Sequence, residues 1–242
     1  MTPNPEQQNI QKIFENVQAE NITVGDITQI YQTVNNLGDI SKPTGFPQNI
    51  PQSSTDKFVG REKSLELLHQ QLQRNHEVVI AAVEGMGGVG KTELAIQYSL
   101  LHLQLQNYSG GICWLKAREQ DIGLQIINFA RTDLGLNPPD DLELPERVRW
   151  CWNHWNKGNT LIVLDDVTNY GDIKPYLPPQ PSQFKVLITT RLKLDLAASL
   201  YLGVLLKEDA LELLTQLVGE DKVNKELEKA EELCQRLGNL PL

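Results

Sequence analysis

Cysteine is scarce in this chain, and so is positive charge. Cys113, Cys151 and Cys234 are its three cysteines. They are scattered and lack metal-ligand spacing, which excludes a disulfide framework and fits free thiols in a cytoplasmic setting. Acidic side chains number 31 against 22 basic ones, a formal charge of −9. That balance argues against a general nucleic-acid binder, which would be basic. No apolar run is long enough for a membrane-spanning helix. The opening Met1-Thr2-Pro3-Asn4-Pro5-Glu6 lacks the basic and apolar parts of a signal peptide. The four histidines show no ligand spacing, and Trp114, Trp150, Trp152 and Trp155 read as packing residues. What remains is aliphatic content sufficient for a sizeable core, in a length that fits one α/β domain plus something smaller.

Three parts follow one another along the chain: 1–55, 56–206 and 207–242. The first is rich in Asn and Gln, and up to about residue 53 its only basic side chains are Lys12 and Lys42. Ile10, Ile13, Phe14 and Val17 have helical spacing. Residues 21–34 are β-prone with Gly25-Asp26 as a turn, and Pro43, Gly45, Pro47 and Pro51 mark a linker. Residues 22–29 are short, weakly charged and proline-free. They read either as part of a disordered tail or as a segment able to stack in register with its own copies. In the second part, apolar strands at 78–83, 111–115, 161–165, 185–189 and 201–206 alternate with helices near 62–75, 121–133 and 145–155. That alternation predicts a parallel sheet covered on both faces, with ligands at the carboxyl ends of its strands. From Lys207 the pattern is helical, with Gly238 capping the last helix.

The most informative stretch is Gly85-Met86-Gly87-Gly88-Val89-Gly90-Lys91-Thr92. It follows an apolar strand and opens a helix, the context a phosphate-binding P-loop requires. Glycines let backbone N–H groups curl around phosphate oxygens, the Lys91 ammonium suits the β- and γ-phosphates, and the Thr92 hydroxyl suits Mg²⁺. Leu161-Ile162-Val163-Leu164-Asp165-Asp166 has the form of a Walker B strand. Asp165 is the metal partner there, and Asp166 stands where it could orient or deprotonate water. Thr189-Thr190-Arg191 ends another buried strand. A guanidinium at that tip gains a charge-assisted pair only when a third phosphate is present.

Together with Phe58-Val59-Gly60-Arg61-Glu62 and Gly238-Asn239-Leu240-Pro241-Leu242, these motifs resemble the NB-ARC class of STAND ATPases, in family order. That class includes the switch modules of apoptosome proteins, plant immune receptors in defence, and bacterial signalling proteins. The resemblance runs from about Phe58 to Leu242 and implies an α/β P-loop NTPase fold. Its five-stranded parallel sheet has the order 5-1-4-3-2 and is followed by a partial helical ARC subdomain, so the sequence is expected to be truncated after the Gly238–Leu242 motif. It implies that Val59 and Arg61 lie at the adenine, that Pro241 packs on the adenine ring, and that Arg191 senses the γ-phosphate. It further implies an ATP/ADP switch with Mg²⁺, slow hydrolysis, self-association when ATP-bound, and trigger and effector proteins as partners. Three other readings stand beside it: an ADP-binding module without turnover, a P-loop kinase and a DNA-binding regulator. The kinase lacks an Arg-rich lid, and the regulator lacks a helix-turn-helix.

Overall fold

The computed structural model describes residues 45–55, 58–82, 87–118, 121–180, 183–192 and 198–241. The expectations for residues 1–44, including the stacking segment, lie outside that set, as do those for Val83, Gly85, Met86 and Leu242.

Helix α1 (Glu62–Arg74) leads into β1 (Glu77–Ala82), and α2 (Lys91–Gln104) leads into β2 (Gly111–Lys116). Helices α3 (Ile122–Thr132) and α4 (Leu144–His154) precede β3 (Thr160–Val167). A short helix α5 (Tyr170–Ile173) and a 3₁₀ turn (Lys174–Tyr176) connect to β4 (Phe184–Thr190) and β5 (Ser199–Leu202). Helices α6 (Lys207–Val218), α7 (Glu220–Lys225) and α8 (Leu227–Arg236) follow. The sheet has five strands in the order β2-β3-β4-β1-β5, and every pairing is parallel. This is the expected order read from the opposite edge.

The strands read as continuous apolar runs because both faces are covered. Alternate residues serve opposite cores. Val78, Ile80, Ile112, Trp114, Leu161, Val163 and Leu187 face the layer that holds α1 and α2. Val79, Cys113, Leu115, Ile162, Leu164, Val186 and Ile188 face α3 and α4. On α1, Leu65, Leu68 and Leu72 point inward, whereas Leu67 is exposed. Asp121 caps α3 by accepting from the Leu124 N–H at 3.0 Å, and Pro145 sits at the start of α4, where a missing N–H costs nothing. Leu205, Ala210 and Cys234 form a separate small cluster under α6 and α8.

Two stretches differ from the sequence reading. The strand expected at 201–206 occupies Ser199–Leu202 instead. Its partner β1 ends at Ala82, which pairs with Leu202. Beyond that point the backbone bonds elsewhere: Gly203 O accepts from Arg61 and Leu205 N–H donates to Asn239 O at 2.9 Å. The second is the linker, which is built onto the sheet. Gln48 forms a parallel bridge with Ile112, and Ile112 N–H donates to Pro47 O at 2.9 Å. The Asn49 amide then mimics a strand, accepting from Trp114 N–H at 2.6 Å and donating to Trp114 O at 2.9 Å. Residues 46–50 thus cover the outer edge of β2, which would otherwise expose unpaired backbone groups.

Candidate functional site

The site grows from the junction of β1 and α2. Gly90 is the N-cap of α2, in the left-handed region at φ 88°, a conformation that side chains with a Cβ rarely adopt. Its carbonyl accepts from Leu94 N–H at 2.8 Å, which starts the helix. The next two residues are Lys91 and Thr92, so both lie in the first turn, at the positive end of the helix dipole. The Lys91 ammonium is drawn below its ordinary value by burial and by the neighbouring charge of Arg191, while Asp166 and Asp165 oppose this. All four charged groups line one cleft.

The tip of β3 supplies the carboxylates. Asp165 Oδ1 accepts from Thr92 Oγ1 at 2.8 Å and from Thr189 Oγ1 at 2.5 Å. The pairing of β3 with β4 shifts register between Leu164 and Val167, and a bulge of this kind re-aims side chains. Asp166 takes a φ of 56°, uncommon for a residue with a Cβ. Its N–H donates to Thr189 Oγ1 at 2.9 Å, and its Oδ2 lies 3.1 Å from Arg118 Nε. The Arg118 loop is anchored alongside by Ala117 N–H donating to Asp165 O at 2.8 Å. Arg191 projects from the end of β4, with Nη1 3.7 Å from the point a Cβ on Gly87 would occupy.

Two chambers adjoin this cluster and share part of their walls. The larger, of about 590 Å³, is lined by Lys91, Thr92, Asp165, Asp166, Arg118 and Arg191 among others. The smaller, of about 370 Å³, is more apolar, with Phe58, Val59, Leu213, Leu217 and Pro241 in its wall. Ser54, Gly90, Glu93 and Pro241 line both. Pro241 arrives because α8 ends in a tight reversal. Gly238 N–H donates to Gln235 O at 3.0 Å and Asn239 N–H to Cys234 O at 2.9 Å, with Gly238 at φ 67°; this is a Schellman motif. It brings Pro241 Cγ to 3.4 Å from the point a Cβ on Gly90 would occupy.

The structure therefore gathers Gly87, Gly88, Gly90, Lys91, Thr92, Asp165, Asp166 and Arg191 at one sheet edge, with Val89 buried behind them. Val59, Arg61 and Pro241 line the second chamber. Arg61 is largely committed to backbone there. Its Nη2 donates to Gly203 O at 2.7 Å and to Val89 O at 3.2 Å, which ties the P-loop to the exit of β5. Burial lowers its guanidinium, partly offset by Asp209. Sequence reasoning missed Arg118, although it stands two residues beyond β2 at the same carboxyl edge. It also missed Ser54, because a proline-rich stretch reads as a spacer, and Glu93, whose place in the first turn of α2 gave no hint of a partner in the linker.

The donor set suits a magnesium–nucleotide complex. Asp165 and the Thr92 hydroxyl offer hard oxygen ligands, and the glycine turn leaves backbone N–H groups unshielded for phosphate. A parallel sheet with a glycine turn, a helix-opening Lys-Thr pair and a neighbouring Asp-Asp strand tip defines the P-loop nucleotide-binding class. Within that class, residues 61–224 match the NB-ARC domain, and the chain belongs to this family. It is 31% identical over 214 residues to the regulatory protein AfsR of Streptomyces griseus, covering 83% of this chain and 21% of that protein. A probable disease resistance RPP8-like protein 2 of Arabidopsis thaliana is 31% identical over 152 residues, 60% of this chain and 16% of that one. The chain thus spans only 16–21% of the length of these relatives. Among solved structures, the Aeropyrum pernix ORC2 protein in its ADP form aligns with a TM-score of 0.49 at 15% identity, over 69% of this chain and 53% of that one. Among the described residues, no helix is long and apolar enough to cross a membrane.

Proposed function

We propose that this chain is the nucleotide-binding switch of a signalling protein, holding an adenine nucleotide with Mg²⁺ and hydrolysing ATP slowly. The observation that carries this reading is the convergence of Lys91, Thr92, Asp165, Asp166 and Arg191 on one cleft beside an apolar chamber. The α2 N-terminus and Lys91 bind the β-phosphate end of the ligand, and Thr92 with Asp165 holds the metal. When bound, that metal offsets phosphate charge. Arg191 meets the third phosphate, and Asp166 orients a water beside it. The apolar chamber takes the base, with Val59 and Pro241 on its faces. Self-association in the ATP state, a partner that triggers exchange, an effector and a cytoplasmic location belong to the same proposal.

A second reading, an ADP-holding interaction module without turnover, draws support from one contact. Asp166 is engaged by Arg118 at 3.1 Å and so is already committed in this conformation. Two measurements separate the readings. Mass spectrometry of nucleotide released from the purified protein should find ADP or ATP; no adenine nucleotide, and none taken up on incubation, would refute both. Phosphate release by the intact chain should exceed that of Asp166→Ala by at least about tenfold. Equal background rates would leave only the module.

A further inference from the structure

Ser54 and Glu93 lie where the two chambers meet. A nucleotide with its phosphates in one chamber and its base in the other must pass its sugar between them. This inference therefore rests on the proposed nucleotide site.

Glu93 follows Lys91-Thr92 in the first turn of α2 and binds the linker with both carboxylate oxygens. Oε1 lies 2.6 Å from Ser53 Oγ and accepts from Gln97 Nε2 at 2.7 Å. Oε2 accepts from Ser54 Oγ at 2.8 Å and from Ser54 N–H at 3.2 Å. A carboxylate has about four lone-pair sites; Gln97 and Ser54 occupy three of them, and Ser53, whose single proton also faces Thr55 O at 2.7 Å, stands at the fourth. A hydroxyl carries one proton and two acceptor lone pairs. The Ser54 proton is spent on Glu93, and a charge-assisted bond of that kind fixes its direction. What remains at Ser54 is an oriented acceptor on an exposed residue of the cleft wall. A sugar hydroxyl is a donor that matches it. Carboxylates serve the same end directly in dinucleotide folds, where an acidic side chain takes the ribose 2′-hydroxyl; here the acidic group acts one bond removed.

We infer that Ser54 accepts a hydrogen bond from a ribose hydroxyl of the bound nucleotide, that Glu93 is its positioning residue, and that the site selects ribonucleotides over deoxyribonucleotides. The sugar then becomes a third partner of the linker clamp, so nucleotide binding tightens the hold on residues 53–55.

Titration calorimetry of the intact chain with ADP, 2′-deoxy-ADP and 3′-deoxy-ADP tests this. One of the two deoxy compounds should bind about tenfold more weakly than ADP, the scale of one hydrogen bond at a partly exposed site. In Ser54→Ala that ratio should fall to about two or less, and Glu93→Ala should lower it as well. The ratio isolates sugar reading, because a merely structural loss weakens all three ligands alike. Equal binding of all three by the natural chain, or full discrimination retained by Ser54→Ala, would overturn the inference while leaving the nucleotide site standing. Absence of binding by all three would remove that site and this inference with it.

Discussion

Arg191 and Arg118 reach the same cleft from the ends of different strands, yet among the described residues only Arg118 is engaged by a carboxylate. Arg118 pairs with Asp166, whereas Arg191 lies over Gly87, where the proposed nucleotide site would hold its phosphates. Arg191→Ala should therefore weaken ATP by about tenfold and ADP by no more than about twofold, since a charge-assisted bond to the third phosphate is lost. Calorimetric titration with both nucleotides checks this, and matched losses would remove the sensor role. At this scale the positions of Lys91 and Thr92 were legible from a glycine turn that opens a helix, and that of Asp165 from a strand that ends in polar residues. The strained backbone of Asp166 was not. A positive φ at a residue with a Cβ arises from the bulge against β4 and the Thr189 hydroxyl, contacts about two dozen residues apart in the chain.

Strands were readable as elements because burial on both faces demands unbroken apolar runs. Their ends were less so. β5 stops where β1 stops, and no local signal in 203–206 says so. The helix pair α1 and α2 carries a feature that sequence spacing could not reveal. His69 and His102 stack with ring centroids 4.8 Å apart, beside Tyr98 and Tyr108. Burial pulls His69 down to about 4, and burial together with His69 holds His102 well below its ordinary value. The folded state thus binds fewer protons than the unfolded chain below pH 6.5. Stability is fully present above that value and is lost as pH falls from 6.5 towards 4, by up to about 3 kcal/mol for His69. Urea midpoints at pH 7.5 and pH 4.5 should show this loss, and His69→Gln should shrink it. An undiminished pH effect in that variant would assign it to other groups.

Across the whole molecule a chain of net charge −9 assembles Lys91, Arg118 and Arg191 in the wall of one cleft. Overall charge sets solubility and says little of the local field. Ligand held there stabilises the native state by mass action. ADP at about a hundred times its dissociation constant should add about 2.7 kcal/mol. For a chain of this size that raises the melting temperature by roughly 5–10 °C. Thermal scans with and without ADP and magnesium test this, and Lys91→Ala should abolish most of the shift. An identical shift in that variant would place the nucleotide elsewhere.

The amino-acid sequence by itself determined the strand–turn–helix of the P-loop, the acidic tip of β3, the basic tip of β4 and the order of the sheet implied by its family resemblance. The first three rest on residues adjacent in the chain, where apolar period and glycine position act directly on the backbone; the sheet order came only through the resemblance. Only the tertiary structure decided that the linker becomes an edge of the sheet, that Arg61 is held by two carbonyls, that Arg118 meets Asp166, and that Ser54 and Glu93 stand between the chambers. Those contacts join residues from separate segments. Their geometry follows from how the layers pack, which no local pattern encodes.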